Sequence, residues 1–219
     1  MRPHALLLTT ALLLAACSSR PLPPDWQLQG KPALDAAIAM DLAGDGKGAQ
    51  REFERGRALL ARTGQPALVA RAELMRCAAR VASLDFTSCE GFERWRAEAP
   101  APEQAYADYL AGAALDRARI ALLPPAQQAV ASAIAAKTPA SVSAIEDAQS
   151  RLIAAALLFR AGLADPATLT LAADTASEQG WRRPLLAWLD VLAQRAERAG
   201  AADEAQRLRR RIALVMSSR

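Results

Sequence analysis

The sequence is almost free of histidine, the side chain on which most acid–base catalysis near neutral pH depends. Its single histidine, His4, lies near the N-terminus, in a segment that we expect to be removed from the mature protein. The remaining chain then excludes Ser-His-Asp catalysis, Cys-His catalysis and every His-ligated metal site. A Walker-type phosphate loop is excluded too, because the glycine-rich segment 44–48 lacks the G-K-[ST] ending. We therefore predict no metal, no cofactor and no catalytic residues.

Lysine, aromatic residues and strand-like patterns are also scarce. Only three of the 27 basic residues are lysines, aromatic residues make up 5% of the chain, and the formal net charge is +4. Such uniform use of arginine weakens the idea that each arginine was selected for its own contact. The small positive charge does not indicate a nucleic-acid partner. No segment alternates apolar and polar residues with the period of two that a half-buried strand requires.

The N-terminus carries a short apolar run. Arg2 precedes it, and residues 5–16 are apolar except for two threonines. Because a helix needs about 20 apolar residues to cross a bilayer, this run fits a signal peptide instead. It ends in Leu-Ala-Ala-Cys at positions 14–17, which resembles the lipobox of bacterial lipoproteins. An ordinary signal peptide that leaves Cys17 as a stray thiol is the alternative.

The resemblance to lipoproteins implies cleavage before Cys17, acylation of that cysteine and stable attachment to a membrane, since two or more acyl chains anchor a protein firmly. Ser18 stands where an aspartate would resemble an inner-membrane retention signal, which favours the outer membrane with the body facing the periplasm. We therefore divide the chain into a signal peptide (1–16), a lipidated cysteine with a proline-rich linker (17–31) and a helical domain (32–219).

The two other cysteines, Cys77 and Cys89, are predicted to form a disulfide. An oxidising compartment favours such a pair. Closing so short a loop stabilises the fold by about 3 kcal/mol in the chain-entropy model. A redox-active pair is disfavoured, because neither the C-x-x-C spacing nor an activating neighbour is present.

From residue 32 onward the apolar periodicity is helical, and good helix formers dominate. The expected helices span 32–43, 47–63, 66–83, 89–98, 102–122, 125–136, 140–161, 166–179, 183–199 and 202–216. Short turns between them predict an all-α fold of antiparallel hairpins. The helix over 66–83 has two opposite apolar stripes and should be covered on two sides, whereas the last helix has one apolar face, as a terminal cap does.

Three turns share a pattern: Gly44, Gly162 and Gly200 each end one helix, and an alanine follows five residues later. A glycine takes the left-handed cap geometry, and an alanine lets two helices approach closely. Gly44, Asp45, Ala49 and Phe53 resemble the turn of the tetratricopeptide (TPR) family. The first-helix Trp, Leu-Gly and Tyr of that family are missing here. The resemblance implies a stacked TPR-like solenoid over most of residues 32–217, and an up-down helical bundle is the alternative.

Two groups of residues are candidates for a binding surface. Tyr106 and Tyr109 lie three positions apart, and an aromatic ring with a polar tip suits recognition. Trp181, Arg182 and Arg183 lie at a helix start, where Arg beside Trp could hold an anionic or aromatic ligand. In each case ordinary packing is the alternative: core tyrosines in the first group and a tryptophan between hairpins in the second.

These features together predict a non-enzymatic outer-membrane lipoprotein whose TPR-like periplasmic body mediates protein–protein interaction in the cell envelope. The partners would be the membrane, through Cys17, and an envelope protein. One alternative is a carboxylate-dependent hydrolase of an envelope polymer, or its helical regulatory domain, because glycoside hydrolysis needs no histidine. Another is a protein that binds anionic lipid through the arginine-rich last helix.

Overall fold

The computed structural model describes residues 24–217, so the lipobox-like segment and Cys17 lie outside the described residues. The described part forms eleven α-helices and no strand, which confirms the all-α class. The helices are α1 (Lys31–Ala43), α2 (Gly46–Ala61), α3 (Pro66–Ala82), α4 (Glu90–Glu93), α5 (Ala101–Leu110), α6 (Arg117–Ile120), α7 (Pro125–Ala136), α8 (Ala148–Arg160), α9 (Pro166–Glu178), α10 (Arg182–Arg198) and α11 (Ala202–Ser217). None of them is both long and apolar enough to cross a bilayer.

The chain turns between helices where the sequence supplies a left-handed residue and a cap. Gly44 ends α1 with φ +92°, a conformation that favours glycine. Asp45 then caps α2, because its carboxylate accepts a hydrogen bond from the Gly48 N–H at 2.9 Å. Aspartates also cap α6, α8 and α9. The Gly-Asp pair at 44–45 thus serves as a C-cap followed directly by an N-cap.

Three predicted helices are wrong in extent. The one over 102–122 ends at Leu110, because Gly112 takes φ +80° and redirects the chain before α6. The one over 140–161 begins only after Asp147, which caps α8 through the Ser150 N–H. The one over 89–98 is a single α-turn, α4, followed by a 3₁₀ turn at Arg96–Glu98. In each case a local cap or turn overrides a continuous apolar pattern.

The N-terminal edge of the domain also lies earlier than predicted. Trp26–Gly30, which we assigned to the linker, forms a π-helical turn that continues into α1. Trp26 packs on a small core cluster between α1, α2 and α3. The close approach of this turn to α2 uses glycine on both sides, since a Cβ on Gly56 would lie 3.1 Å from the Gly30 carbonyl oxygen.

Two helices form the centre of the body. In α8 seven consecutive residues, Leu152 to Leu158, are buried, as expected for a helix that is surrounded by others. Helix α3 packs on α8 and also on α1 and α2. Its residues contribute to both hydrophobic clusters. The prediction that α3 is covered on two sides is confirmed.

Neighbouring helices form hairpins, and distant helices close the array. The pairs α1–α2, α9–α10 and α10–α11 pack along their lengths, while α1 also contacts α10. The Trp188 indole N–H in α10 donates to the Ala82 carbonyl at the end of α3 at 3.2 Å. At the far end α11 buries only one face, through Ala205 and Leu208, as its single apolar stripe predicts.

The predicted disulfide between Cys77 and Cys89 is present and joins α3 to the start of α4. Arg80 spans the loop between them, donating to the Thr87 hydroxyl at 3.0 Å and to the Ser88 carbonyl at 3.0 Å. The loop after α3 is therefore held both by the disulfide and by the hydrogen bonds from Arg80.

Candidate functional site

Tyr106 and Trp181, which belong to different candidate groups in the sequence, line the same cavity of about 440 Å³. It lies between α1, α3 and α5 and the starts of α8 and α10. We call it the apolar cavity, because aliphatic side chains form most of its wall: Ile38, Leu42, Leu74, Met75 and Ile153. Helix α1 turns the exposed Ala39 toward it as well. The arrangement provides a preformed, mostly apolar recess with two aromatic side chains.

Of the two aromatic residues, Trp181 lies at a helix cap and Tyr106 lies within a helix. Trp181 is the N-cap residue of α10 and follows Gly180, whose φ is +66°. Tyr106 lies in α5, and Asp147, the cap of α8, lies close enough to affect its ionisation. Burial raises the pKa of the Tyr106 hydroxyl, and the Asp147 carboxylate raises it further. Tyr106 therefore stays neutral at physiological pH.

Charged residues stand at the edge of the apolar cavity, and each already has a partner in the protein. Arg71 pairs with Glu103. Asp35 pairs with Lys31 at an exposed site, and Asp147 accepts from the Ser150 N–H at 2.7 Å. The lining contains two carboxylates, Asp35 and Asp147, and one guanidinium, so its edge is weakly acidic.

Tyr109 has a structural role. It is 1% exposed, and its hydroxyl donates to Gln127 Oε1 at 3.0 Å. Gln127 in turn donates to the Ser150 carbonyl at 3.0 Å. Burial raises the pKa of the Tyr109 hydroxyl. Tyr109 thus joins α5, α7 and α8 through one buried hydrogen-bonded chain, and the two tyrosines predicted as a pair serve different purposes.

Arg182 and Arg183 hold α10 against its neighbours. Arg183 pairs with Asp41 of α1 at 3.1 Å, and Arg182 donates to the Met216 carbonyl at the end of α11 at 3.2 Å. Burial raises the pKa of Asp41, and the nearby guanidinium groups, Arg183 first, oppose that shift. Both arginines therefore contribute to the packing of α1, α10 and α11, and of the predicted cluster only Trp181 lines the apolar cavity.

A second depression, of about 540 Å³, lies on the opposite face of α3. Four arginines from separate parts of the chain line it: Arg57, Arg76, Arg80 and Arg94. Three glutamates, Glu54, Glu73 and Glu90, line it too. We call it the arginine groove. Sequence analysis missed it, because its arginines lie on α2, on α3 and after α4 and no run of basic residues announces it.

Two of the acidic residues near the disulfide already have partners in the protein. Asp85 accepts from both the N–H and the hydroxyl of Thr87, and these hydrogen bonds lower its pKa although burial opposes them. Glu93 pairs with Arg96. Among residues 24–217 no cluster of three or more potential metal ligands is present.

Comparisons with protein-family models, with curated proteins and with solved structures find no match to this chain. A functional assignment for it therefore depends on the chemistry of the two depressions and on the N-terminal sequence.

Proposed function

We propose that this protein is a lipid-anchored, non-enzymatic component of the bacterial cell envelope that holds a segment of a partner protein in the apolar cavity. The anchor is Cys17 at the outer membrane, facing the periplasm. The observation that carries the proposal is the placement of Tyr106 and Trp181 beside a largely aliphatic wall in one recess. Large aromatic side chains around an apolar recess are typical of the centres of protein interfaces.

The chemistry of the apolar cavity defines the partner segment. A volume of about 440 Å³ accommodates one or two anchoring side chains. Burying a large apolar side chain contributes about 2 kcal/mol, so these anchors would supply much of the affinity. The weakly acidic edge at Asp35 and Asp147 complements a basic residue beside the anchor. The expected partner is therefore a protein with an exposed segment that combines a large apolar side chain and a neighbouring Lys or Arg.

The acyl anchor and the packed N-terminus make the mechanism positional. The proline-rich linker before Trp26 spans only about 3 Å per residue even when extended, and Trp26 itself packs on the domain. The cavity would thus stay within a few tens of ångströms of the membrane, and a bound partner would be concentrated there. Because the scaffold positions its partner, no catalytic group is required.

A cavity-filling variant tests the proposal. Ala39 is exposed and lines the apolar cavity, so Ala39→Trp should occupy the recess without disturbing the core. Ala58→Trp, at an exposed position of α2, is the matched control. After chemical crosslinking in cells and purification of the full-length protein, we expect a protein adduct with wild type and Ala58→Trp and its loss with Ala39→Trp.

The anchor is tested separately by Cys17→Ala. We expect this variant to leave the membrane fraction and to lose the adduct, because the partner is no longer held at the same surface. An adduct that persists in Ala39→Trp would contradict the role of the cavity. A Cys17→Ala variant that fractionates like wild type would contradict the anchor.

A further inference from the structure

The arginine groove holds guanidinium groups in fixed positions through a buried carboxylate. Glu73 is 4% exposed. Its Oε1 accepts from Arg57 Nε at 2.9 Å, and its Oε2 accepts from Arg76 at 2.8 Å. Arg76 is fixed further because its guanidinium lies 4.2 Å from the centre of the Phe53 ring. Two cations are thus oriented before any ligand arrives, which reduces the entropy that binding would otherwise cost.

The backbone at Gly91 is shaped around the same carboxylate. A Cβ at position 91 would lie 2.2 Å from Glu73 Oε2, closer than non-bonded atoms approach. Helix α4, which begins directly after Cys89, therefore packs on the carboxylate that orders Arg57 and Arg76. The groove is a built feature in which α2, α3 and the disulfide loop meet.

Most guanidinium N–H groups in the groove donate to no acceptor among residues 24–217. A guanidinium has five N–H groups, whereas Arg57 donates to Glu73 through Nε alone. Arg94 is exposed and, within residues 24–217, forms no ion pair. Arg80 donates only to neutral acceptors, Thr87, Ser88 and Cys77.

The lining of the arginine groove has one more guanidinium than it has carboxylates. Glu73 serves two arginines at once. Glu54 stands at the exposed edge and accepts from Gln50 at 2.6 Å, and Glu90 is exposed at the start of α4. Asp41 and Asp85 act on Arg80 from outside the lining. Four arginines therefore face three glutamates in the lining itself, and the glutamate deepest in the groove is already shared.

We propose that the arginine groove is a binding site for a phosphate group. A phosphate presents several acceptor oxygens and accepts from several guanidinium groups at once, and Arg–phosphate pairs are among the strong charge-assisted hydrogen bonds. A further carboxylate would accept in one plane only, as Glu73 does. The site lies on the face of α3 opposite the apolar cavity and does not depend on the proposed protein partner.

Titration calorimetry with inorganic pyrophosphate at low ionic strength tests the site, using the full-length protein in neutral detergent. We expect saturable binding by wild type and a loss of affinity of tenfold or more, about 1.4 kcal/mol, in Arg94→Glu. Arg94 is exposed and forms no ion pair within residues 24–217, so this variant should fold. Arg51→Glu, an exposed arginine of α2 outside the groove, makes the same charge change and should bind like wild type.

A second variant examines the ordered arginines. Arg57→Lys keeps the charge and one bond to Glu73 but removes the fork of donors, and we expect it to weaken pyrophosphate binding as well. Phosphatidylglycerol added to the micelles distinguishes the source of the phosphate: competition with pyrophosphate indicates a lipid headgroup, and its absence indicates a soluble phosphate. Two results would overturn the proposal: no saturable binding by wild type, or equal weakening by Arg94→Glu and Arg51→Glu.

Discussion

The two faces of α3 differ in the kind of interaction that they leave available for a ligand. One face of α3 lines the apolar cavity through Arg71, Leu74, Met75 and Ala78. The opposite face lines the arginine groove through Glu73, Arg76, Cys77 and Arg80. On the first face apolar surface remains uncovered, and the charges at its edge are paired. On the second face the apolar residues are covered, and guanidinium donors remain unused.

The difference predicts two modes of binding on one helix. Burial of apolar surface in the cavity draws on the hydrophobic effect, which added salt does not screen. Binding in the groove draws on charge, which is screened over about 8 Å at physiological ionic strength. The disulfide belongs to the second face alone, since Cys77 lines the groove. Changes near the disulfide should therefore affect the groove and spare the cavity.

The largest expected effect comes from removing the disulfide. The Cys77→Ala/Cys89→Ala variant opens a loop with a sequence separation of 12 residues and should lower the free energy of unfolding by about 3 kcal/mol. Urea denaturation of wild type and variant measures this change, and reduced wild type is the control. Pyrophosphate binding should weaken in the variant, while the crosslink that depends on Ala39 should persist. Loss of both pyrophosphate binding and the crosslink would contradict the claim that the two faces of α3 act independently.

Replacing the buried carboxylate of the groove should have the next largest effect. Glu73→Gln removes the charge that holds Arg57 and Arg76, and we expect a loss of about 2 kcal/mol in the free energy of unfolding, because both arginines keep partial access to water. Glu93→Gln, which removes one exposed ion pair with Arg96, is the control and should cost less than about 0.5 kcal/mol. Equal costs would contradict the organising role of Glu73.

A smaller change in stability should distinguish Tyr109, which lies in the core, from Tyr106, which lines the apolar cavity. Tyr109→Phe removes the buried hydrogen bond to Gln127 and should lower the free energy of unfolding by about 1 kcal/mol. Tyr106→Phe removes a hydroxyl at the wall of the apolar cavity and should change stability by less than about 0.5 kcal/mol. Thermal or urea unfolding of both variants decides the matter, and a costlier Tyr106→Phe would place Tyr106 among the core residues.

The smallest expected effect concerns Asp41 of α1, which pairs with Arg183 of α10. Burial raises its pKa above 3.8, so the folded state binds the proton more tightly than the unfolded state does. The resulting stabilisation is complete below pH 3.8 and is lost as the pH rises through the raised pKa. Asp41→Asn should therefore change the free energy of unfolding at pH 7 by less than about 1 kcal/mol.

The pH dependence distinguishes this account of Asp41 from a simple ion pair. The stability difference between wild type and Asp41→Asn should move in favour of wild type as the pH falls from neutral toward 4. Other carboxylates, such as Asp85 with its lowered pKa, cancel in that difference. A difference that moves in the opposite direction would mean that Arg183 outweighs burial.

Periodicity alone was sufficient to predict the all-α class, the two covered sides of α3 and the single covered face of α11. These features follow from the apolar pattern because each helix buries the stripe that its sequence supplies. The Cys77–Cys89 disulfide was predictable from the pair of cysteines and the expected compartment. Helix ends were less accessible, since Gly112 and Asp147 act through local geometry inside otherwise continuous helical patterns.

The candidate site could be predicted only in part. Tyr106 and Trp181 stand out in a chain with few aromatic residues, but their meeting in one cavity depends on how α5 and α10 pack around α3. Arg182 and Arg183 looked like part of the same site because they follow Trp181, although the helix turns them toward α11 and α1. The arginine groove joins residues from three parts of the chain, so only the tertiary structure reveals it.

Site-specific photo-crosslinking in living cells tests the central claim most directly. A photoreactive amino acid would replace Ala39 in the apolar cavity or, as the control, the exposed Ala58. We predict that position 39 crosslinks to one envelope protein through a segment that carries a large apolar side chain beside a Lys or Arg, and that position 58 does not. Equal yields at the two positions, or no protein adduct at position 39, would contradict the claim that the apolar cavity holds a partner protein.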